Sequence, residues 1–127
     1  VARVSPQTIY THCVHDLNID HQLTHKAVLT ACRPTDQISV KNVFAFETLS
    51  STEWNFSCQA NGFSPNYFED ISETLNLKIE AMSAYRSEIR DFPHPRSSKG
   101  IDITARKWGT VVGCQAAEAF ELIYHRD

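Results

Sequence analysis

No apolar run in this sequence approaches the roughly 20 residues that a membrane-spanning helix needs, and no signal-peptide pattern is present. Basic residues are neither in excess nor clustered. Twelve Lys and Arg stand against 15 Asp and Glu, for a formal net charge of -3. That balance argues against a nucleic-acid partner. Glycine is scarce, and Gly62, Gly100, Gly109 and Gly113 stand apart. A glycine-rich phosphate loop is therefore missing, which disfavours a Rossmann-like nucleotide-binding module. Cys13, Cys32, Cys58 and Cys114 form no CxxC pair. They read as reduced thiols, so the expected setting is cytoplasmic.

What is present suits one domain. The 127 residues are 42% hydrophobic, enough for a single packed core. The chain begins with Val1 rather than Met, which suggests a processed or truncated product. Pro6 to Cys13 reads as a short buried strand, and His21 to Cys32 as a helix with Leu23, Ala27, Val28 and Ala31 on one face. Asn18 or Asp20 can cap that helix, and Pro34 stops it. Val43-Phe44-Ala45-Phe46 is apolar throughout, as in a strand covered on both faces. An extended segment follows from Asn66 to Ile71.

Asp70-Ile71-Ser72-Glu73 resembles a capping box. It precedes a helix whose apolar face is Leu75, Ile79, Met82, Tyr85 and Ile89, broken by Phe92-Pro93-His94-Pro95. A last helix spans about Ser98 to Trp108, Gly109 and Gly113 permit close packing or a turn, and Phe120 to Tyr124 suits a final strand. The order is α/β, with few strands for a self-contained sheet.

Three segments carry polar chemistry. Asp20-His21 sits where a polar loop enters a helix, and a histidine there can ligate a metal while a neighbouring carboxylate orients it. His21 and His25 share a helical face at a spacing that metal pairs use, but solvated or capping histidines are commoner at such spacing. The Glu that a metalloprotease helix places beside its first His is absent. Phe46 to Trp54 is a hydroxyl-rich loop after a strand, either a ligand-site wall or an ordinary solvated loop. Phe92 to Ser97 presents His94 and Arg96 in a proline-bracketed turn, either an anion contact or a rigid connector.

Taken in order, these segments resemble the carboxyl-terminal part of the LmbE/PIG-L-like zinc-dependent N-deacetylases. The matching residues are Asp16-Leu17-Asn18-Ile19-Asp20-His21 and Ala31-Cys32-Arg33-Pro34, then Phe46-Glu47-Thr48 with Ser50-Ser51-Thr52-Glu53-Trp54. Phe63-Ser64-Pro65-Asn66, Tyr85-Arg86-Ser87-Glu88, Pro93-His94-Pro95-Arg96-Ser97 and Ala117-Glu118-Ala119-Phe120 continue the match. The resemblance implies a Rossmann-like three-layer α/β fold lacking its amino-terminal strands, with residues 1–127 forming the carboxyl-terminal part of one domain. It implies hydrolysis of the N-acetyl group of an acetylated amino sugar or sugar conjugate.

The resemblance also implies zinc, with His21 as one of three protein ligands. The other two and the general base belong to a His-Pro-Asp-Asp-Glu motif that does not occur here. A missing amino-terminal segment is thus an expected partner, and an isolated chain without it is expected to be inactive. Some relatives carry a histidine where this chain has Asn18. Asn18 becomes a polar group at the substrate carbonyl, and Asp20 a support for His21. Ser51, Glu53, Trp54, His94 and Arg96 become candidate substrate contacts, with the His94-Pro95-Arg96-Ser97 turn also a candidate subunit contact in a homo-oligomer. The alternative is a non-catalytic interaction or assembly domain that keeps the remnant of the fold.

Overall fold

The computed structural model describes residues 4–35, 38–58 and 62–127. Its elements are β1 (Thr8–His12), α1 (Ile19–Ala31), β2 (Asn42–Phe46), β3 (Tyr67–Asp70), α2 (Leu75–Ser83), α3 (Ser98–Val112) and β4 (Ala117–His125), with one 3-10 turn at Phe56–Cys58. The four strands form a mixed sheet in the order β1-β2-β4-β3. β1 and β2 run parallel, with Tyr10 opposite Phe44; β2 and β4 run antiparallel, with a register shift between Val43 and Phe44. Among the described residues, no helix is long and apolar enough to cross a membrane. Cys13, Cys32 and Cys114 are free thiols.

The chain divides into two compact units, residues 1–67 with 120–127, and residues 68–119. The first unit is built on β1-α1-β2. Val43, Phe44 and Ala45 are buried, as the apolar run predicts. Val40, Val43 and Cys32 form the core of this unit, with Ile9, Val28, Leu29, Ile38 and Tyr124 packed on it.

Helix α1 is turned differently from the expectation. Its inward residues are His21, His25, Val28 and Leu29, followed by Cys32, whereas Leu23, Ala27 and Ala31 are exposed. The cause is polar. His25 is 5% exposed, and its Nδ1 donates to the carbonyl oxygen of His12 at 2.8 Å. A carbonyl only accepts, so that nitrogen carries the proton. This bond fixes the helix rotation against the end of β1. Strand β1 is also less buried than expected: only Thr11 of its five residues is fully covered, because β1 is an edge strand.

The second unit holds α2 and α3 around Ile71, Leu75, Ala105 and Ala116, with Ile79 beside them. The residues that resemble a capping box close a turn instead of a helix. Asp70 accepts from Ser72 N–H at 2.9 Å and from Ser72 Oγ at 2.5 Å. Helix α2 starts only at Leu75, and its N-cap Thr74 makes no side-chain capping bond. The helix ends at Ser83, short of Tyr85 and Ile89, and turns fill the stretch to Ser97. Helix α3 is capped at both ends. Ser97 Oγ accepts from Gly100 N–H, and Gly113 adopts the left-handed conformation (φ 81°) that favours glycine. Gly109 is buried within α3; a Cβ there would stand 2.6 Å from the Cys114 carbonyl oxygen.

Candidate functional site

The carboxyl end of β1 and the start of α1 gather the polar chemistry of the first unit. Between them the chain folds back so that Asp16 is fully buried. Its carboxylate accepts from Asn18 N–H at 2.8 Å, from Thr52 Oγ1 at 2.8 Å and from Ser51 Oγ. Burial pushes the Asp16 carboxyl up, but these donors and the neighbouring His21 outweigh it and hold it below the usual value.

His21 Nδ1 lies 3.0 Å from Asp16 Oδ1. The contact is close but lacks the alignment of a hydrogen bond, so it is electrostatic first. A carboxylate oxygen only accepts, so for a neutral imidazole the contact favours the tautomer with the proton on Nδ1 and the lone pair on Nε2. No hydrogen bond to Nε2 is present among the described residues. The side chain is 21% exposed, which gives a ligand a route to it.

A second imidazole lies on the first. The rings of His12 and His21 stack at 4.0 Å between centroids, 16° from parallel. Phe46 packs against His12 from another side, at 4.9 Å. Burial, followed by the neighbouring His21, lowers the His12 pKa, and Asp16 opposes the shift. His12 Nδ1 is buried without a hydrogen-bond partner.

The residues singled out from sequence fall as follows. Asp20 is exposed and lies in the first turn of α1. The carboxylate that meets His21 is that of Asp16. Asn18 caps α1, its side chain accepting from Asp20 N–H at 2.9 Å. Ser51 turns inward to Asp16. Glu53 closes its own loop by accepting from Ser50 N–H at 2.6 Å and Ser51 N–H at 3.3 Å. Trp54 is exposed on that loop.

His94 and Arg96 belong to the second unit. His94 Nδ1 accepts from Arg96 N–H at 3.1 Å, and the Arg96 guanidinium pairs with Glu88. The turn is seated on α3, since a Cβ at Gly100 would stand 2.4 Å from the Pro95 carbonyl oxygen. Three members of the first-unit cluster, His12, Asp16 and Thr52, are absent from the sequence-derived set of site residues. Asp16 carries a legible signal in one respect: an Asp two residues before a helix cap is suited to accept the cap's N–H.

No protein-family model matches this sequence, and no curated protein matches it. In fold, the chain is similar to the crystal structure of the conserved protein TT1542 from Thermus thermophilus, with a TM-score of 0.75 and 18% sequence identity. The match covers 99% of this chain and 56% of that one. The likeness is one of fold, a mixed α/β arrangement, and this chain spans little more than half the length of that protein.

Proposed function

We propose that this chain is the carboxyl-terminal part of a Rossmann-like, zinc-dependent N-deacetylase of the LmbE/PIG-L-like kind, acting on an N-acetylated amino sugar or sugar conjugate. The observation that carries the reading is the Asp16–His21 pair at the carboxyl end of β1. Metal-ligating histidines commonly give their second ring nitrogen to a carboxylate, which sets the tautomer and the ring orientation. Asp16 is placed for that work, and Ser51, Thr52 and Asn18 hold it there.

His21 fits one position of a three-ligand zinc site through Nε2. Among the described residues, no group of three or more His, Cys, Asp or Glu side chains is arranged to hold a metal. On this reading, the remaining ligands and the general base come from polypeptide outside the chain. Zinc, when bound, polarises the acetyl carbonyl and activates a water. The residues here keep His21 oriented, with the ring of His12 stacked beside it. Trp54, exposed on the loop beside Ser51, remains a proposed sugar or carrier contact.

The test is zinc content and deacetylation in the complete protein. His21→Ala should abolish stoichiometric zinc. Asp16→Asn should weaken zinc about 10- to 100-fold, and Asp20→Asn should have the smaller effect. Full zinc occupancy in folded His21→Ala would sink the assignment.

A further inference from the structure

The loop after β2 contains a strained residue. Ser50 has φ 68°, in the left-handed region, which disfavours a residue with a Cβ by about tenfold in population. Glycine would adopt it freely, yet the sequence places serine there. A restraint from outside Ser50 is needed, and Glu53 supplies it. Its carboxylate accepts from Ser50 N–H at 2.6 Å. It also accepts, at 3.3 Å, from Ser51 N–H, which is shared with the Thr48 carbonyl oxygen. Successive backbone N–H groups beside a left-handed residue form a cradle for an anion. Here the chain fills the cradle with its own side chain.

The residues on either side of Glu53 hold the segment that carries Asp16. Ser51 Oγ donates to Asp16. Thr52 Oγ1 donates to Asp16 at 2.8 Å and accepts from Thr48 N–H at 2.7 Å. The Ser51 carbonyl accepts from Leu17 N–H at 3.3 Å, and Asn55 Nδ2 donates to the His15 carbonyl at 2.9 Å. Asp16 in turn accepts from Asn18 N–H and meets His21. Glu53 itself is exposed, and its two bonds lie within its own loop.

We infer that Glu53 is a positioning residue for the candidate site. By holding Ser50 in the left-handed conformation, it presents the hydroxyls of Ser51 and Thr52 to Asp16, and through them sets Asp16 against His21. Both carboxylate oxygens are engaged by backbone N–H groups, so Glu53 acts through the loop and not as a substrate contact. The inference deepens the reading of His21 as a ligand and rests on that reading only where a cation is concerned.

The test is NMR of the 127-residue chain. In Glu53→Ala, the amides of Leu17 and Asn18 should exchange about tenfold faster, and the NOE between the His12 and His21 rings should weaken. The amides of β2 should keep their parent rates, which separates a local release from general unfolding. Glu53→Gln retains one acceptor oxygen and should lose less. The backbone supplies the sharper arm. Ser50→Gly added to Glu53→Ala should restore most of the protection, because glycine needs no restraint there. Ser50→Val should reproduce the loss although the carboxylate is intact. Glu80→Ala, which removes an exposed carboxylate from α2, should change nothing. Unaltered Leu17 and Asn18 exchange in Glu53→Ala overturns the inference. So does a loss that Ser50→Gly fails to restore, since the carboxylate would then act by its charge and not through the turn. Faster exchange with an unchanged ring NOE would end the effect at the loop and overturn the link to His21. None of these readouts involves zinc, so a failed zinc assignment and a failed positioning role are told apart.

Discussion

Asp16 meets His21 across the start of α1, carboxylate oxygen to Nδ1 at 3.0 Å, although Asp20 is the carboxylate adjacent in sequence. The reason is helical geometry. Neighbouring helical residues point about 100° apart, so with His21 facing inward Asp20 faces water. Asp16 precedes the cap, and its chain is free to fold back beneath the ring.

Removing Asp16 should be expensive. Asp16→Ala leaves the donors of Ser51, Thr52 and Asn18 without their acceptor in a buried place. The expected loss is about 2–4 kcal/mol in urea denaturation. Asp16→Asn, which keeps one acceptor oxygen, should lose less. A loss below about 0.5 kcal/mol for the alanine variant would show that the cluster does not hold the loop.

Acid should weaken the same cluster. The Asp16 carboxyl titrates lower in the folded chain than in the unfolded one. Its contribution is therefore complete above the unfolded value, about pH 4, and is lost as pH falls through the folded value. Denaturation midpoints measured from pH 6 to pH 2.5 should fall less steeply for Asp16→Asn than for the parent. Parallel curves would contradict the assignment.

Thiol chemistry should separate the cysteines. Cys13 is buried, and burial first, with Glu121 and Asp16 nearby, pushes its pKa up to about 11. Cys32 is buried and also shifted upward. Iodoacetamide at pH 8 should modify the half-buried Cys114 well before either, as read by peptide mass spectrometry. Cys13 should react only after unfolding.

The α3 glycines should respond to alanine for different reasons. Gly109→Ala drives a Cβ to 2.6 Å from the Cys114 carbonyl oxygen and 2.9 Å from Ala116 N. Overpacking of about 1–3 kcal/mol should outweigh the gain of about 1 kcal/mol in helix propensity. Gly113→Ala meets no neighbour within 4 Å, so its loss comes from the left-handed backbone alone, about 1–2 kcal/mol. Thermal melts of the two variants check the order.

Elements with a local cause were legible in the sequence. The Val43–Phe46 run is a buried strand because every residue is apolar, and Asn18 caps α1. The rotation of α1 was not legible. Hydrophobic pattern favours Leu23 and Ala27 inward, but the acceptors that capture His21 and His25 lie on Asp16 and His12. Helix α2 looked longer than it is because Tyr85 and Ile89 continue its periodicity beyond Ser83. The candidate site had the same difficulty: Ser51 and Thr52 reach Asp16 from 35 and 36 residues away. No local spacing encodes that contact.

The clamp on Asp16 also bears on timing. An imidazole free to rotate loses side-chain entropy when it takes a ligand. Here, the stacked His12 ring, the Asp16 carboxylate and the hydroxyls of Ser51 and Thr52 restrain His21 as the chain folds. The ordering of His21 thus belongs to the folding step, and the ring has its bearing before anything meets it.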